Sequence, residues 1–515
     1  MASMKKFGWI LFYFFIFSIF IYNSFSYLDP DFGWHLRFGQ IIWHTLSLPH
    51  DQIFIWPLAG KTWVDHEWLA NVLLYILWQI GGYILVTIVF ALTPVLTLLV
   101  INRYLFTNFI ITIESRVITA TLETVAILAM LPHLGIRIQE VTLLATSILI
   151  ITLVSLLTNR KKLIPWWLPV FFYFWACLHG GFFIGLVFLF FWICSEILLY
   201  YFPVLQKLGL LPLSKKTLHY SLIICGLSFI FTLLTPYGLS LYHFMFDYRD
   251  TFYQSHIQEW LSPLIFPFNY PQISLIVLVI ISFIGSVFSL RKKIPFFIYI
   301  IIALLVSMAL KSVRHFPLLM VGWLIMVFPF FIPELTERIK FNFNKALSLL
   351  LLFVLFSLSI YLLLLAKVTT KPFASYCEIY PCGAAIFLKN NPQYTKQLFN
   401  SYNFGGYLIG SSPELRLFID GRLPQYTLHN HSILKEYYFF FNPDYGRQKL
   451  DEYNISTVLL QKNQPKPTIN WFEKFFLGYK QENFQSSNFL FSHLTSSSNW
   501  TKVYEDNVSI IFVRK

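Results

Sequence analysis

The chain has 515 residues, of which 57% are hydrophobic, 19% aromatic and 12% charged, less than half the charged share of an ordinary soluble protein. That balance excludes a soluble globular enzyme. The excess of 38 Lys+Arg over 25 Asp+Glu, +13 in all, would suggest nucleic acid in a soluble domain, but here the basic residues sit in short clusters beside apolar runs, where the positive-inside rule accounts for them without nucleic acid.

Apolar runs of about 17–25 residues, each able to cross roughly 30 Å of hydrocarbon, recur through the first 366 residues. The expected spans are 7–27, 67–81, 83–102, 140–158, 163–178, 182–202, 218–235, 272–290, 295–312, 316–333 and 346–366. The first follows Lys5 and Lys6. It is too long for a cleaved signal and has no small-residue cleavage site before Asp29, so it reads as a retained anchor. The clusters Lys5-Lys6, Arg160-Lys161-Lys162, Lys215-Lys216, Arg291-Lys292-Lys293 and Arg338/Lys340/Lys345 can all be cytoplasmic if the N-terminus is inside. Eleven crossings then place residues 367–515 outside. Residues 108–132 carry Glu114, Arg116 and Glu123, so that segment is expected to be tilted, broken or buried among other helices. Counting it as a crossing gives twelve.

From Lys367 the pattern changes. Expected strands are 397–400, 415–420, 456–460, 501–506 and 508–514, with helices at 383–390 and about 432–440. The last two strands read as a hairpin. The fold class is therefore an α-helical polytopic membrane protein of about eleven transmembrane helices, residues 1–366, with a C-terminal extracytoplasmic α/β domain, residues 367–515. Cys377 and Cys382 in the tail can form a short-loop disulfide if it is exported, or remain two thiols. Cys177, Cys194 and Cys225 fall in apolar spans as packing residues.

This topology sorts the polar residues. The non-cytoplasmic side receives "DPDFGWHLRFG" (29–39), "WVDHEW" (63–68), "LGIRIQ" (134–139), "LHGGF" (178–182), "TPYG" (235–238), "IQEWLSP" (257–263) and "SVRHFP" (312–317). Six of these seven hold a carboxylate, histidine or arginine, and Tyr237 lies in the other. If 31–45 is a helix along the outer interface, Asp31 and His35 are one turn apart, and Phe32, Leu36 and Trp43 rest among headgroups. Asp31 beside His35 and Arg37 suits a general base or a holder of a phosphorylated head group. The plainer account is that Asp31 caps the helix and pairs with His35.

Asp65, His66 and Glu67 precede the second span, where Asp65 is also a natural N-cap. His179 stands before paired glycines that permit a close approach to the backbone. Glu259 lies in a long aromatic loop. Arg137 with Gln139, and Arg314 with His315, are suitable partners for a phosphate. In the tail, Asn400, Tyr402, Asp420 and Arg422 fall just past two expected strand ends, as acceptor-site candidates or as turn residues with an Asp420–Arg422 lock. No Walker, H-E-x-x-H, G-x-S-x-G or paired C-x-x-C motif is present. "DPD" has the D-x-D form of nucleotide-sugar transferases, but it lies on the wrong side for a cytoplasmic donor.

In this order, "DPDFGWHLRFG", "WVDHEWL" with "WQIGG", "RIQ", "WACLHGGF", "LLTPYG", "IQEWLSP", "VRHFP" and "FNSYNFGGYLIG…LRLFIDGRLPQY" resemble an uncharacterised prokaryotic family of polytopic membrane proteins with a D-P-D-x-W-W-H-L signature and an exported C-terminal domain. Gly33, Cys177, Ile138 and His315 depart from the family pattern, Gly33 replacing a tryptophan that would anchor at the interface. The layout is similar to the glycosyltransferase C superfamily, which includes protein mannosyltransferases and oligosaccharyltransferases.

That similarity implies a plasma-membrane glycosyltransferase. It would move a sugar from a polyprenyl-phosphate donor to a glycan, lipid or protein acceptor outside the cytoplasm. Asp31 takes the catalytic position, with Asp29 and Glu67 as further acids. His35, Arg37, Asp65, His66, Arg137, Gln139, His179, Tyr237, Glu259, Arg314 and His315 serve as substrate contacts. The sequence indicates no particular cofactor, and a divalent metal is compatible with the acidic loops. The alternatives are a transporter or flippase of lipid-linked saccharides, which would use Glu114, Arg116 and Glu123, or a non-catalytic envelope scaffold.

Overall fold

The computed structural model describes residues 2–110, 112–159, 162–206, 212–247, 252–264, 270–288, 295–338, 345–422, 426–462, 474 and 489–515. Of the basic clusters used for orientation, Arg160, Lys161, Arg291, Lys292, Lys293 and Lys340 lie outside the described residues. The chain is mostly helical with a small C-terminal sheet and divides into two compact units.

The first unit comprises residues 1–26, 87–239 and 262–368. Its sequence is almost continuously apolar, and in a bilayer only a helix satisfies every backbone group internally. Seven helices among the described residues are long and apolar enough to cross a membrane, and four shorter apolar helices accompany them. The chain is an integral membrane protein. Helices occur at every expected span, including 182–201, 215–233 and 345–365. The helix Trp68–Asn108 is interrupted at Gly81 and Gly82. Gly82 has φ +60°, a left-handed conformation that suits glycine.

Residues 113–130 form one unbroken helix, and 114–133 is among the seven apolar segments. Thr112 and Ser115 close its N-terminus with a capping box. Its Glu123 is fully buried and accepts from Asn102 Nδ2 at 3.1 Å, while the same nitrogen donates to Tyr13 Oη at 3.0 Å. The intramembrane carboxyl group thus faces protein, the arrangement expected for ionisable groups at this depth.

The second unit joins residues 27–86 and 240–261 to 369–515. Its four-stranded sheet runs in the order Leu398–Asn400, Thr457–Gln461, Ser509–Arg514, Trp500–Glu505. The first pair is parallel and the others antiparallel, including the expected hairpin. Consecutive buried Val, Leu, Ile and Phe side chains in 457–461 and 509–514 place both faces of these strands in the core. Cys377 and Cys382 are disulfide-bonded.

The expected strand at 415–420 does not form. Leu417 makes only an isolated parallel bridge to Ile55, with N–H to Phe54 O at 2.8 Å and its own carbonyl accepting from Trp56 N at 3.0 Å. Asn400 Oδ1 then takes the Phe418 N–H at 2.9 Å. The backbone groups are satisfied, but by a loop and a side chain rather than a ladder.

The helix Phe32–Thr45 packs into this unit, so Phe32 and Leu36 lie among protein side chains rather than at headgroups. Phe32 is fully buried against Trp78, Tyr83 and Phe373, and Leu36 is also buried; Trp43 remains exposed. Burying a Phe side chain stabilises by about 1.5–3 kcal/mol, which favours this packing. At Gly33 a Cβ would lie 2.2 Å from Gly406 O, and at Gly406 one would lie 1.9 Å from Pro30 O. The glycine at position 33 is therefore a contact with the helix Gly405–Ser411, not a shortened membrane anchor. Gly33→Leu is expected to cost about 1–3 kcal/mol by overpacking. Gly226→Leu, at a position with nothing within 4 Å of a Cβ, should leave the melting temperature in detergent near wild type.

Candidate functional site

In the second unit the sequence motifs of the first loop, the second loop and the tail meet. Asp29 Oδ1 accepts the Asp31 N–H at 2.9 Å, which tightens the turn before the helix. Asp31 occupies the N-cap position without a side-chain cap bond. Its Oδ1 accepts from Trp34 Nε1 at 2.9 Å, and a Cβ on Gly421 would lie 2.6 Å from that oxygen. Glycine at 421 therefore lets the tail come up to the carboxylate.

His35 does not pair with Asp31. Its Nδ1 lies 2.7 Å from Asn71 Oδ1 and its Nε2 3.8 Å from Glu67 Oε2. Asn71 Nδ2 in turn donates to both Asp65 oxygens, at 3.0 and 2.9 Å. Asp65 also accepts the Glu67 N–H at 3.2 Å, so it organises the start of the helix while holding Asn71. Glu67 Oε1 stands 3.5 Å from His66 Nε2, and the His66 ring stacks on Phe244. Arg37 turns to Gln40 at the rim.

The tail closes the cluster. Arg422 is bonded through Nε to Asp420 Oδ2 at 2.9 Å, and its backbone N–H reaches Asp420 Oδ1 at 2.9 Å. Its guanidinium lies over Phe38, Trp63 and Phe54 at 4.7, 5.0 and 5.7 Å, a fully desolvated cation–π setting. Gln52 Oε1 is a further partner at 3.4 Å. The Asp420–Arg422 lock is present. Asn400, fully buried, spends its amide on Ile419 O and the 418–419 backbone. The Tyr402 N–H meets Tyr437 Oη at 3.3 Å.

Burial fixes the charges of this group. It pulls the His35 imidazole from 6.5 down to about 3, with the Asn71 hydrogen bond opposing and the charges of His66 and Arg422 adding to the effect. Burial pushes Asp65 from 3.8 up to about 6, opposed by Asn71, the Glu67 N–H and Arg422. The two act oppositely on stability. His35 contributes fully above 6.5 and its contribution is lost as pH falls towards 3, whereas Asp65 favours the fold increasingly as pH falls from about 6 to 3.8. In thermal melts from pH 7 to 4.5, about where both groups change, His35→Gln should flatten the acid loss and Asp65→Asn should steepen it.

The first unit holds its own polar group. Thr142 Oγ1 and the Gly181 N–H both reach His179 Nδ1, at 2.7 and 2.9 Å, and Trp175 Nε1 donates to Thr142 Oγ1 at 3.0 Å. With Nδ1 accepting from Gly181, the ring hydrogen belongs on Nε2. A Cβ at Gly181 would strike Thr142 Oγ1 at 2.3 Å, which accounts for the second glycine of the motif. Gln139 Nε2 donates to His133 O at 2.8 Å, and Glu140 Oε1 accepts the Gly135 N–H at 2.7 Å, bracing the loop that carries Arg137. The His133 ring meets Phe316 edge-on, bringing this loop to the turn Val313–His315 with Arg314 and His315. His315 Nδ1 bonds Met308 O at 3.2 Å. Tyr237 is buried in the turn closed by Gly238 N to Thr235 O. Glu259 lies on the short turn Gln258–Trp260 of the second unit.

Sequence reading missed Asn71, Trp34 and Gln52. Asn71 carried one signal: it lies one helical turn beyond Glu67, on the same face. Gln52 had none, because its role depends on a partner 370 residues away.

No family model matches the sequence, and a search of curated proteins found no similar one. Among solved structures, the chain is similar to the crystal structure of the Archaeoglobus fulgidus oligosaccharyltransferase in its apo form, with a TM-score of 0.44 and 10% identity over 99% of this chain and 74% of that chain.

Proposed function

We propose that the protein is a membrane glycosyltransferase that moves a sugar from a polyprenyl-phosphate-linked donor to an acceptor hydroxyl on the extracytoplasmic side. The observation that carries this reading is the cluster built around Asp31. A carboxylate that accepts from the Trp34 indole N–H lies beside a tail glycine, in the same unit as His35, Glu67 and His66. Such a carboxylate can orient or deprotonate a hydroxyl as it attacks an anomeric carbon. The departing phosphate requires fixed positive charge. Arg137 and Arg314 are the candidates for that charge and His179 Nε2–H for a hydrogen bond to the phosphate, each to be tested by its own alanine variant.

The N-terminus is taken as cytoplasmic and the tail as exported. The Cys377–Cys382 disulfide supports an oxidising location for the tail. The deciding experiment is sugar transfer from a defined lipid-linked donor by purified protein, with Asp31→Asn as the comparison.

A second reading, transport of lipid-linked saccharides, is favoured by one observation: the buried Tyr13–Asn102–Glu123 group deep in the first unit. In proteoliposomes, translocation that survives Asp31→Asn but is lost in Glu123→Ala would select it.

A further inference from the structure

Asn71 stands between a carboxylate and an imidazole, and an amide has a donor end and an acceptor end. Its nitrogen is 3.0 and 2.9 Å from the Asp65 oxygens, and its oxygen is 2.7 Å from His35 Nδ1. Turning the amide over would set oxygen against a carboxylate. Both Asp65 oxygens face the Asn71 nitrogen and one also accepts the Glu67 N–H at 3.2 Å, the geometry of a carboxylate that only accepts. The Asn71 oxygen therefore faces His35, and His35 Nδ1 must carry a hydrogen. Burial keeps that ring neutral, so it holds a single hydrogen and Nε2 presents a bare lone pair. Glu67 Oε2 stands 3.8 Å from Nε2, beyond hydrogen-bond length.

We infer that Asn71 is a positioning residue that locks His35 in its Nδ1–H form, so that His35 Nε2 presents an acceptor to an incoming hydroxyl. The hydroxyl belongs to the acceptor or to the transferred sugar. That identification rests on the glycosyltransferase reading, whereas the tautomer does not. The groups facing His35 are Trp34 stacked on its ring, Asn71, Glu67, and the charges of His66 and Arg422.

The test is ¹⁵N-histidine magic-angle-spinning NMR of the full chain in bilayers at pH 7. His35→Gln identifies the signal by difference among the 13 histidines. Wild type should show hydrogen on Nδ1 and a bare Nε2. Asn71→Leu should move hydrogen to Nε2. Asn71→Asp should restore the wild-type pattern, because two adjacent acids share one proton and so reproduce the donor and acceptor ends. If Asn71→Leu does not fold, Asp65→Asn serves instead, since it frees the amide to turn and should give mixed tautomers.

Hydrogen on Nε2 in wild type, or a tautomer indifferent to these changes, overturns the inference. In the transfer assay, Asn71→Leu should raise KM roughly tenfold, the loss of about one hydrogen bond. A rise for the acceptor alone assigns the hydroxyl to the acceptor, and a rise for the lipid-linked donor assigns it to the sugar. An unchanged KM for both, with the tautomer altered, overturns the hydroxyl seat. Absence of transfer in wild type would defeat the glycosyltransferase reading while leaving the tautomer result intact.

Discussion

Asp31→Asn protein should fold as wild type, bind its lipid-linked donor with unchanged affinity, and transfer sugar slower by about 10²–10⁴-fold, the usual contribution of a positioned acid or base. The substitution is nearly isosteric. An amide oxygen can still accept from Trp34 Nε1, which lies 2.9 Å from Oδ1 in the native protein, and the small residue at 421 still leaves room. What disappears is the negative charge and the basicity. Asp29→Asn is the matched control: Asp29 Oδ1 accepts the Asp31 N–H, and an amide oxygen can take the same bond. Its effect should be well below that of Asp31→Asn. Undiminished turnover by a folded Asp31→Asn protein would remove Asp31 from the chemistry. Equal losses in both variants would point to the turn rather than the carboxylate.

The largest expected effect on stability is at Arg422. Its side chain and that of Asp420 are almost wholly buried, paired at Nε and enclosed by Phe38, Trp63 and Phe54. Removing one member of such a pair leaves a desolvated charge behind and costs about 3–5 kcal/mol. Arg422→Ala should therefore accelerate hydrogen exchange strongly across 398–420 and 52–65, the segments its side chain ties together. Arg422→Lys should rescue little. A lysine has no planar fork for the carboxylate and stacks poorly between rings. Replacing both partners with leucine should recover much of the loss, because the stranded charge is then gone. If Arg422→Ala leaves exchange in 52–65 unchanged, the guanidinium does not hold the loop to the tail.

The amino-acid sequence alone determined the features that depend on local pattern. Uninterrupted apolar length marked the membrane helices, because each must satisfy its own backbone in hydrocarbon. Short apolar runs rich in Val, Ile, Leu and Phe marked the paired strands 457–461 and 509–514. The residues of the first and second loops were legible because carboxylates and histidines at the ends of apolar runs are conspicuous. The tertiary structure decided what each of them touches. A reading of periodicity cannot tell that 415–420, though strand-like, meets one bridge partner, Ile55, among the described residues. Nor can it tell that Gly33 faces Gly406, or that Asn71, an unremarked residue in a helix, joins His35 to Asp65. Residues 27–86 belong with a tail that begins at 369. Contacts across so many residues are set by shape and charge complementarity between distant segments, which no local period in the chain encodes.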